Sequence, residues 1–377
     1  MANGTPPLPA DPDVDGLDPT TIGGWGDYPL DSVFVRTETR TVSEVVKRIE
    51  ASRYILDPEF QRDFVWPAPK QSKLIESCVM RIPLPVFYVA EAKDGRIIVV
   101  DGLQRLTTFT RFLGDHLRLE GLATSDESRS SYALDGKTFS QLPLNLQERV
   151  QDTQLTMYIL DAKAPERARL DIFERVNSGE PLTRQQMRNA LYSGPATAWL
   201  KAAAESAEFR SATGQSLDAK KMRDREAINR FCAFKLFGWN AYKTGDMDTF
   251  LAESLTELNT LSPADRDALS AVFKQSMLMN RALFGDHAFR KSLASQDVAP
   301  ARSVLNISLF EVCAVTMADI PSTIDETQKL KLKNGLISLI RDDADFVRAI
   351  TYSTNSTHPV AKRFRSMESL VQKVTEQ

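Results

Sequence analysis

Asp101, Gln104 and Arg105 fall within one short stretch, Arg96-Ile97-Ile98-Val99-Val100-Asp101-Gly102-Leu103-Gln104-Arg105. The apolar run reads as a buried strand ending at an acidic residue. Gly102 then makes a turn, and a helix is expected over Leu103–Leu113. The first N–H groups of a helix have no intrahelical acceptor, and its dipole favours an anion there. A guanidinium in that first turn can grip phosphate oxygens in a bidentate manner. A carboxylate beside it can hold Mg²⁺ or orient a water. Carboxylate, amide and guanidinium on one strand-to-helix corner suit phosphate chemistry. The plainer alternative is that Asp101 caps the helix and Arg105 lies on its surface.

A second cluster adds to the first. Asp57-Pro58-Glu59-Phe60-Gln61-Arg62-Asp63-Phe64-Val65-Trp66 is dense in polar and aromatic residues, and it leads into a helix bearing Lys70 and Lys73. A Gln-Arg pair thus occurs at 61–62 and again at 104–105, each time near an Asp. Two arginines converging on one polyphosphate would use that arrangement. Trp66 and Phe64 could stack on a base, or they could pack under their own loop.

Scarce residues exclude other chemistries. Three histidines and three cysteines are scattered through 377 residues, with no CxxC, no HExxH and no zinc spacing. Cys78 sits among apolar helical neighbours and reads as core rather than nucleophile. The isolated thiols suggest a reducing compartment. No apolar run is long enough to span a membrane, and no stretch has the shape of a signal peptide. A cytoplasmic protein is expected.

Charge is uneven. Residues 1–30 hold five Asp, no Lys or Arg, and eleven Gly or Pro; that segment carries −5, so the whole-chain −3 leaves +2 for the remainder. Such a composition predicts a disordered acidic tail. A lid over a basic groove is the functional alternative.

Residues 31–162 then mix short strands and helices. Helices are expected near 41–51, from Pro67, and over 103–113. Strands are expected at Arg53–Leu56, Val86–Ala90, Arg96–Val100 and Leu155–Leu160, with Asp94-Gly95 as a hairpin turn. Residues 163–377 show helical periodicity almost throughout, and Val304–Met317, apolar nearly all round, should be the central helix. The fold class is α+β followed by an all-α domain.

Gly136-Lys137-Thr138 mimics the end of a phosphate-binding loop, but Ser131 stands where the first Gly is required, so Asp135-Gly136 is better read as a turn. Lys220, Lys221, Arg223, Arg225 and Arg230 form one basic helix, and Lys362, Arg363 and Arg365 form part of another. Either could track DNA phosphates or simply be a solvated face.

The order Phe60-Gln61-Arg62…Trp66, Lys73-Leu74-Ile75-Glu76-Ser77, Ile82-Pro83-Leu84-Pro85 and Val100-Asp101-Gly102-Leu103-Gln104-Arg105-Leu106-Thr107-Thr108 resembles the N-terminal domain of GmrSD-type modification-dependent restriction enzymes. This is the ParB/sulfiredoxin-like family of domain of unknown function 262. Phe173-Glu174-Arg175-Val176-Asn177-Ser178-Gly179, then Leu182-Thr183, Gln186 and Arg188-Asn189-Ala190, continue the likeness, as do Arg225-Glu226 and Arg230-Phe231. It runs well over about residues 35–240.

The resemblance implies a ParB/sulfiredoxin-like domain that binds and hydrolyses a nucleoside triphosphate with Mg²⁺ in anti-phage defence. By it, Asp101, Gln104 and Arg105 carry hydrolysis, with Asp101 as the metal ligand. Gln61, Arg62, Trp66, Lys73, Gly102, Arg175 and Asn177 contribute to nucleotide binding. Arg175–Gly179 could equally be a structural turn between helices. Lys221, Arg225, Arg230, Lys362, Arg363 and Arg365 are the candidate DNA contacts.

Two departures stand out. Leu103 replaces the first Gln of the family's DGQQR motif, which puts turnover in doubt and leaves a non-hydrolysing DNA- or partner-binding module as the alternative. No histidine-containing HNH nuclease is seen, so cleavage would fall to a separate nuclease partner, or to nicking at the Asp101 corner itself. A homo-oligomer is compatible with this reading.

Overall fold

The structure is a computed structural model and describes residues 14–15, 35–56, 66–92, 94–122, 134–176, 183–297, 301–321 and 323–375. It divides into two compact units: Tyr28–Leu182 with Gln186–Leu191, and Met1–Asp27 with Thr183–Gln185 and Tyr192–Gln377. The first therefore extends beyond residue 162. Val14–Asp15 forms a short strand (β1) of the second unit.

In the first unit the elements run β2 (Val35–Thr41), α1 (Val42–Glu50), β3 (Tyr54–Ile55), α2 (Ala68–Val79), β4 (Phe87–Glu91), β5 (Ile97–Asp101), α3 (Leu103–Leu113), α4 (Leu144–Gln151), β6 (Gln154–Leu160), α5 (Glu166–Val176) and α6 (Arg184–Leu191). The sheet order is β2-β6-β4-β5-β3. β2–β6 and β4–β5 pair antiparallel, whereas β4–β6 and β3–β5 are parallel. The expected turn at Asp94-Gly95 closes the β4–β5 hairpin: Gly95 has φ +81° and Arg96 N donates to Asp94 Oδ1 at 3.0 Å. Phe87 and Val89 of β4, Ile97 and Val99 of β5, and Met157 and Ile159 of β6 share a core with helix residues such as Val45, Ile75, Phe109 and Leu146. Ala90, Ile98, Val100 and Leu160, at alternate positions, are buried too, as expected of central strands covered on both faces.

Two elements escape the sequence pattern. β2 reads Val-Arg-Thr-Glu-Thr-Arg-Thr and is half-exposed at the sheet edge, so it lacks apolar alternation. α4 has eight residues and buries only Leu146 and Val150. The turn expected at Asp135-Gly136 is present: Gly136 has φ +76° and its N–H donates to Leu119 O at 2.7 Å.

The second unit is helical: α7 (Pro195–Glu205), α8 (Ala207–Thr213), α9 (Arg223–Phe237), α10 (Met247–Thr260), α11 (Pro263–Phe284), then β7 (Leu305–Asn306), α12 (Ile307–Met317), α13 (Glu326–Asp342), α14 (Ala344–Ala349) and α15 (Thr357–Thr375). The basic helix expected to include Lys220 and Lys221 starts only at Arg223. Lys220 and Lys221 instead donate their N–H groups to Asp218 Oδ1, and Met222 adopts φ +53°. The central helix expected over Val304–Met317 starts only at Ile307, after β7, which pairs parallel with β1. The tail expected to be disordered thus contributes Val14 and Asp15 to the fold, while its other residues lie outside those described.

α12 is the central helix, and every residue of it is buried. Its Glu311 is 0% exposed. Arg363 of α15, also 0% exposed, binds Glu311 Oε1 through Nη2, and Arg230 of α9 binds Glu311 Oε2 through Nη1 at 3.2 Å. Arg363 Nη1 also donates to Thr354 O at 2.7 Å, and Arg230 Nη1 to Asn355 Oδ1 at 3.1 Å. Burial pulls the Arg363 guanidinium below the usual arginine value despite Glu311. For Arg230 burial is outweighed by Glu311 and Glu226, and its value rises. A buried ion whose partner is removed keeps its desolvation cost. Arg363→Ala should therefore lower the stability of the helical unit by roughly 3–5 kcal/mol, read as a drop in urea midpoint at constant slope.

The cysteines are buried and unbridged. Burial pushes the Cys78 thiol up to about 11, Cys313 to about 12 and Cys232 higher still. Thiolate is the reactive form. At about pH 8 the native protein should yield no thiol to an alkylating reagent, and unfolding should expose all three.

Candidate functional site

The corner read from the sequence exists: β5 ends at Asp101, Gly102 turns the chain, and α3 starts at Leu103. Gly102 is required there on two counts. Its φ is +107°, and a Cβ would lie 2.3 Å from Phe87 Cδ1 and 2.8 Å from Cε1. As N-cap it offers no side chain, and the first turn of α3 contains no acidic residue. No side chain of the cap or of the first turn therefore supplies the negative charge that the helix dipole favours at this end.

Arg105 is not the surface gripper that the sequence suggested. Its side chain turns back into the protein and is only 10% exposed. Nη1 donates to Pro85 O; Nη2 donates to Val86 O at 3.2 Å and to Asp101 Oδ2 at 2.9 Å. The guanidinium lies over the Phe87 ring, 4.2 Å from its centroid, a cation–π contact. Burial lowers the Arg105 pKa from the ordinary arginine value, while Asp101 pulls it upward. Asp101 itself keeps 38% of its side chain exposed. Arg105 therefore fixes one carboxylate oxygen of Asp101 and ties the start of β4 to the corner.

Gln104 points toward the second cluster: its Oε1 accepts from Trp66 N at 3.3 Å. Trp66 is half-buried against the core, with the Lys70 ammonium 4.4 Å from its ring centroid. Gln71, which the sequence reading passed over, holds this segment. It is 3% exposed, donates to Trp66 O at 2.7 Å and accepts from Arg111 Nη1 at 3.2 Å. A glutamine at an apolar-phase position of α2, next to Leu74 and Ile75, was the signal that could have exposed it. Lys73 is exposed on α2. Gln61, Arg62 and Asn177 lie outside the described residues; Arg175 is in the last turn of α5. Among the described residues no three His, Cys, Asp or Glu gather as a metal site. Asp101 stands as a single half-exposed carboxylate.

The basic helices divide. Arg230 and Arg363 are buried against Glu311, so neither can meet DNA from the surface, which corrects their reading as DNA contacts. Arg225 is half-buried. Lys362 pairs with Asp343 at 2.9 Å. Lys221 and Arg365 are exposed, and Arg365 lies over Trp239, 5.1 Å from its centroid.

The first unit is thus a small mixed sheet carrying a glycine-capped, helix-start corner suited to an anion. Residues 42–193 match the family described as GmrSD restriction endonuclease, N-terminal domain, and this stretch is a GmrSD-type N-terminal domain. The match takes in every element from α1 to α6, a narrower span than the 35–240 of the motif likeness and less than half of the chain. No curated protein matches the chain. No described helix is long and apolar enough to cross a membrane.

Gly102→Ala should destabilise the protein by about 2–5 kcal/mol, the left-handed backbone and the overlap with Phe87 both contributing. Thermal or urea unfolding measures this. A loss under about 0.5 kcal/mol, the range of a neutral surface change, would show the corner is not built as described.

Proposed function

We propose that the GmrSD-type domain binds the phosphates of a nucleoside triphosphate at the start of α3 and serves as the nucleotide-responsive component of a restriction-like anti-phage defence system. The carrying observation is the glycine N-cap of α3, with no acidic residue in the first turn, beside a half-exposed Asp101 one of whose oxygens is fixed by Arg105. The family match over 42–193 supports the defence context.

Phosphate oxygens would meet main-chain N–H groups at the start of α3. Asp101 is the residue that would hold Mg²⁺. A lone carboxylate fits that ion, since Mg²⁺ commonly takes one or two carboxylates and completes its shell with phosphate and water. The metal would neutralise phosphate charge. Gln104 is placed to orient a water or a phosphate oxygen, and Arg105 positions Asp101 rather than touching the ligand. Gln61, Arg62, Lys73, Arg175 and Asn177 complete the proposed contacts, with Trp66 as the base platform. DNA or a separate nuclease would read the nucleotide state, through surface cations such as Lys221 and Arg365.

Binding without useful turnover is a second reading, and two observations favour it: Leu103 stands at the first Gln of the family motif, and the Arg105 donors face inward. Phosphate release from ATP, GTP, CTP and UTP, with and without DNA, separates the two. If the domain hydrolyses, Asp101→Asn should reduce release at least about 100-fold, the scale of losing one positioned charge-stabilising group. Wild-type release from that variant sinks the hydrolytic site. If the wild type releases nothing yet binds a fluorescent triphosphate, and Asp101→Asn weakens that binding, the second reading stands.

A further inference from the structure

β1 is only two residues long, yet it is held at four points. Val14 is 3% exposed and belongs to the core of the helical unit. Val14 and Asp15 pair in parallel with Leu305 and Asn306 of β7. Asp15 Oδ2 accepts from Asn306 Nδ2 at 3.0 Å and meets Lys291 Nζ at 2.7 Å. Asn306 is itself fully buried. Its Oδ1 caps α12 by accepting from Leu309 N at 2.8 Å, and its Nδ2 also donates to Ile350 O at 2.8 Å.

The receiving surface therefore has three parts. There is a strand edge at Leu305–Asn306 for main-chain pairing, a socket for one branched apolar side chain, and a cation–amide clamp for the carboxylate that follows. That combination is how strand-adding peptide sites work: the backbone gives affinity and the alternate side chains give specificity.

We propose that the head of α12 is a peptide-binding site for an extended Val-Asp segment, and that the protein's own residues 14–15 are its resident ligand. The chemistry selects a β-branched residue followed by an acid. An acid at the first position would bury an unpaired charge, and a base at the second would face Lys291. The acidic tail has no Lys or Arg among its first thirty residues to oppose that cation.

The test uses a fluorescent peptide of residues 9–21 and the full-length chain. Val14→Asp with Asp15→Lys removes the resident ligand. That folded variant should bind the peptide, and wild type should bind it at least about tenfold more weakly, because its tethered segment competes at high effective concentration. Adding Lys291→Glu should cost at least about tenfold in peptide affinity, and a peptide carrying Asp15→Lys should recover it. No binding to the folded double variant, or equal binding to it and to wild type, overturns the proposal.

If that variant does not fold, Lys291→Glu alone serves. Amide exchange at Val14 and Asp15 should rise at least about tenfold, and Asp15→Lys with Lys291→Glu should restore protection. Unchanged exchange in Lys291→Glu overturns the proposal, as does a wild-type dimer that Lys291→Glu dissolves, since the segment would then belong to a second copy.

Discussion

The tie between Arg105 and Asp101 governs the corner of the sheet-bearing unit. A carboxylate at a strand end would ordinarily swing with solvent. Here one oxygen is fixed by a guanidinium that also holds the carbonyls of Pro85 and Val86. The guanidinium lies over Phe87, and a side chain at residue 102 would collide with that ring. Strand β4, the turn and the first turn of α3 are therefore one assembly, and neither Gly102 nor Arg105 can be altered without disturbing the setting of Asp101.

The helical unit solves a similar problem at its centre. α12 is apolar enough to be buried throughout, yet Glu311 interrupts it. The carboxylate is met by arginines from α9 and α15, and backbone carbonyls take up further donors of Arg363. A hydrophobic residue of similar volume could serve as well energetically. What the ion cluster does join is α9, α12 and α15, through one carboxylate and two guanidinium groups.

Much of this was legible locally. α3 was readable because Gly102 turns the chain into a helical apolar pattern, and the β4–β5 hairpin was announced by Asp94-Gly95. What failed were features whose meaning depends on distant residues. Arg230 and Arg363 were read as surface cations, either tracking DNA or solvated, because charge counts along a helix do not reveal an opposing Glu311 elsewhere in the chain. The acidic N-terminal composition predicted disorder, yet Val14 and Asp15 find a matching strand edge and Lys291 far along the sequence. Arg105 was placed correctly in the first turn and misread in direction. Its true partners, the Pro85 and Val86 carbonyls, carry no mark in their side chains.

Trp66 gives the corner an optical consequence. The chain has four tryptophans, and Trp199 and Trp239 belong to the other unit. Trp66 sits under the Lys70 ammonium, and its main chain is pinned by both Gln71 and Gln104. Gln104, proposed above to meet phosphate, is thus one hydrogen bond from the main chain of an indole-bearing residue. On the proposed reading, a ligand that drew Gln104 away would change the polarity and quenching felt by that ring, so occupancy of the corner would be written into the protein's own emission spectrum without an added label.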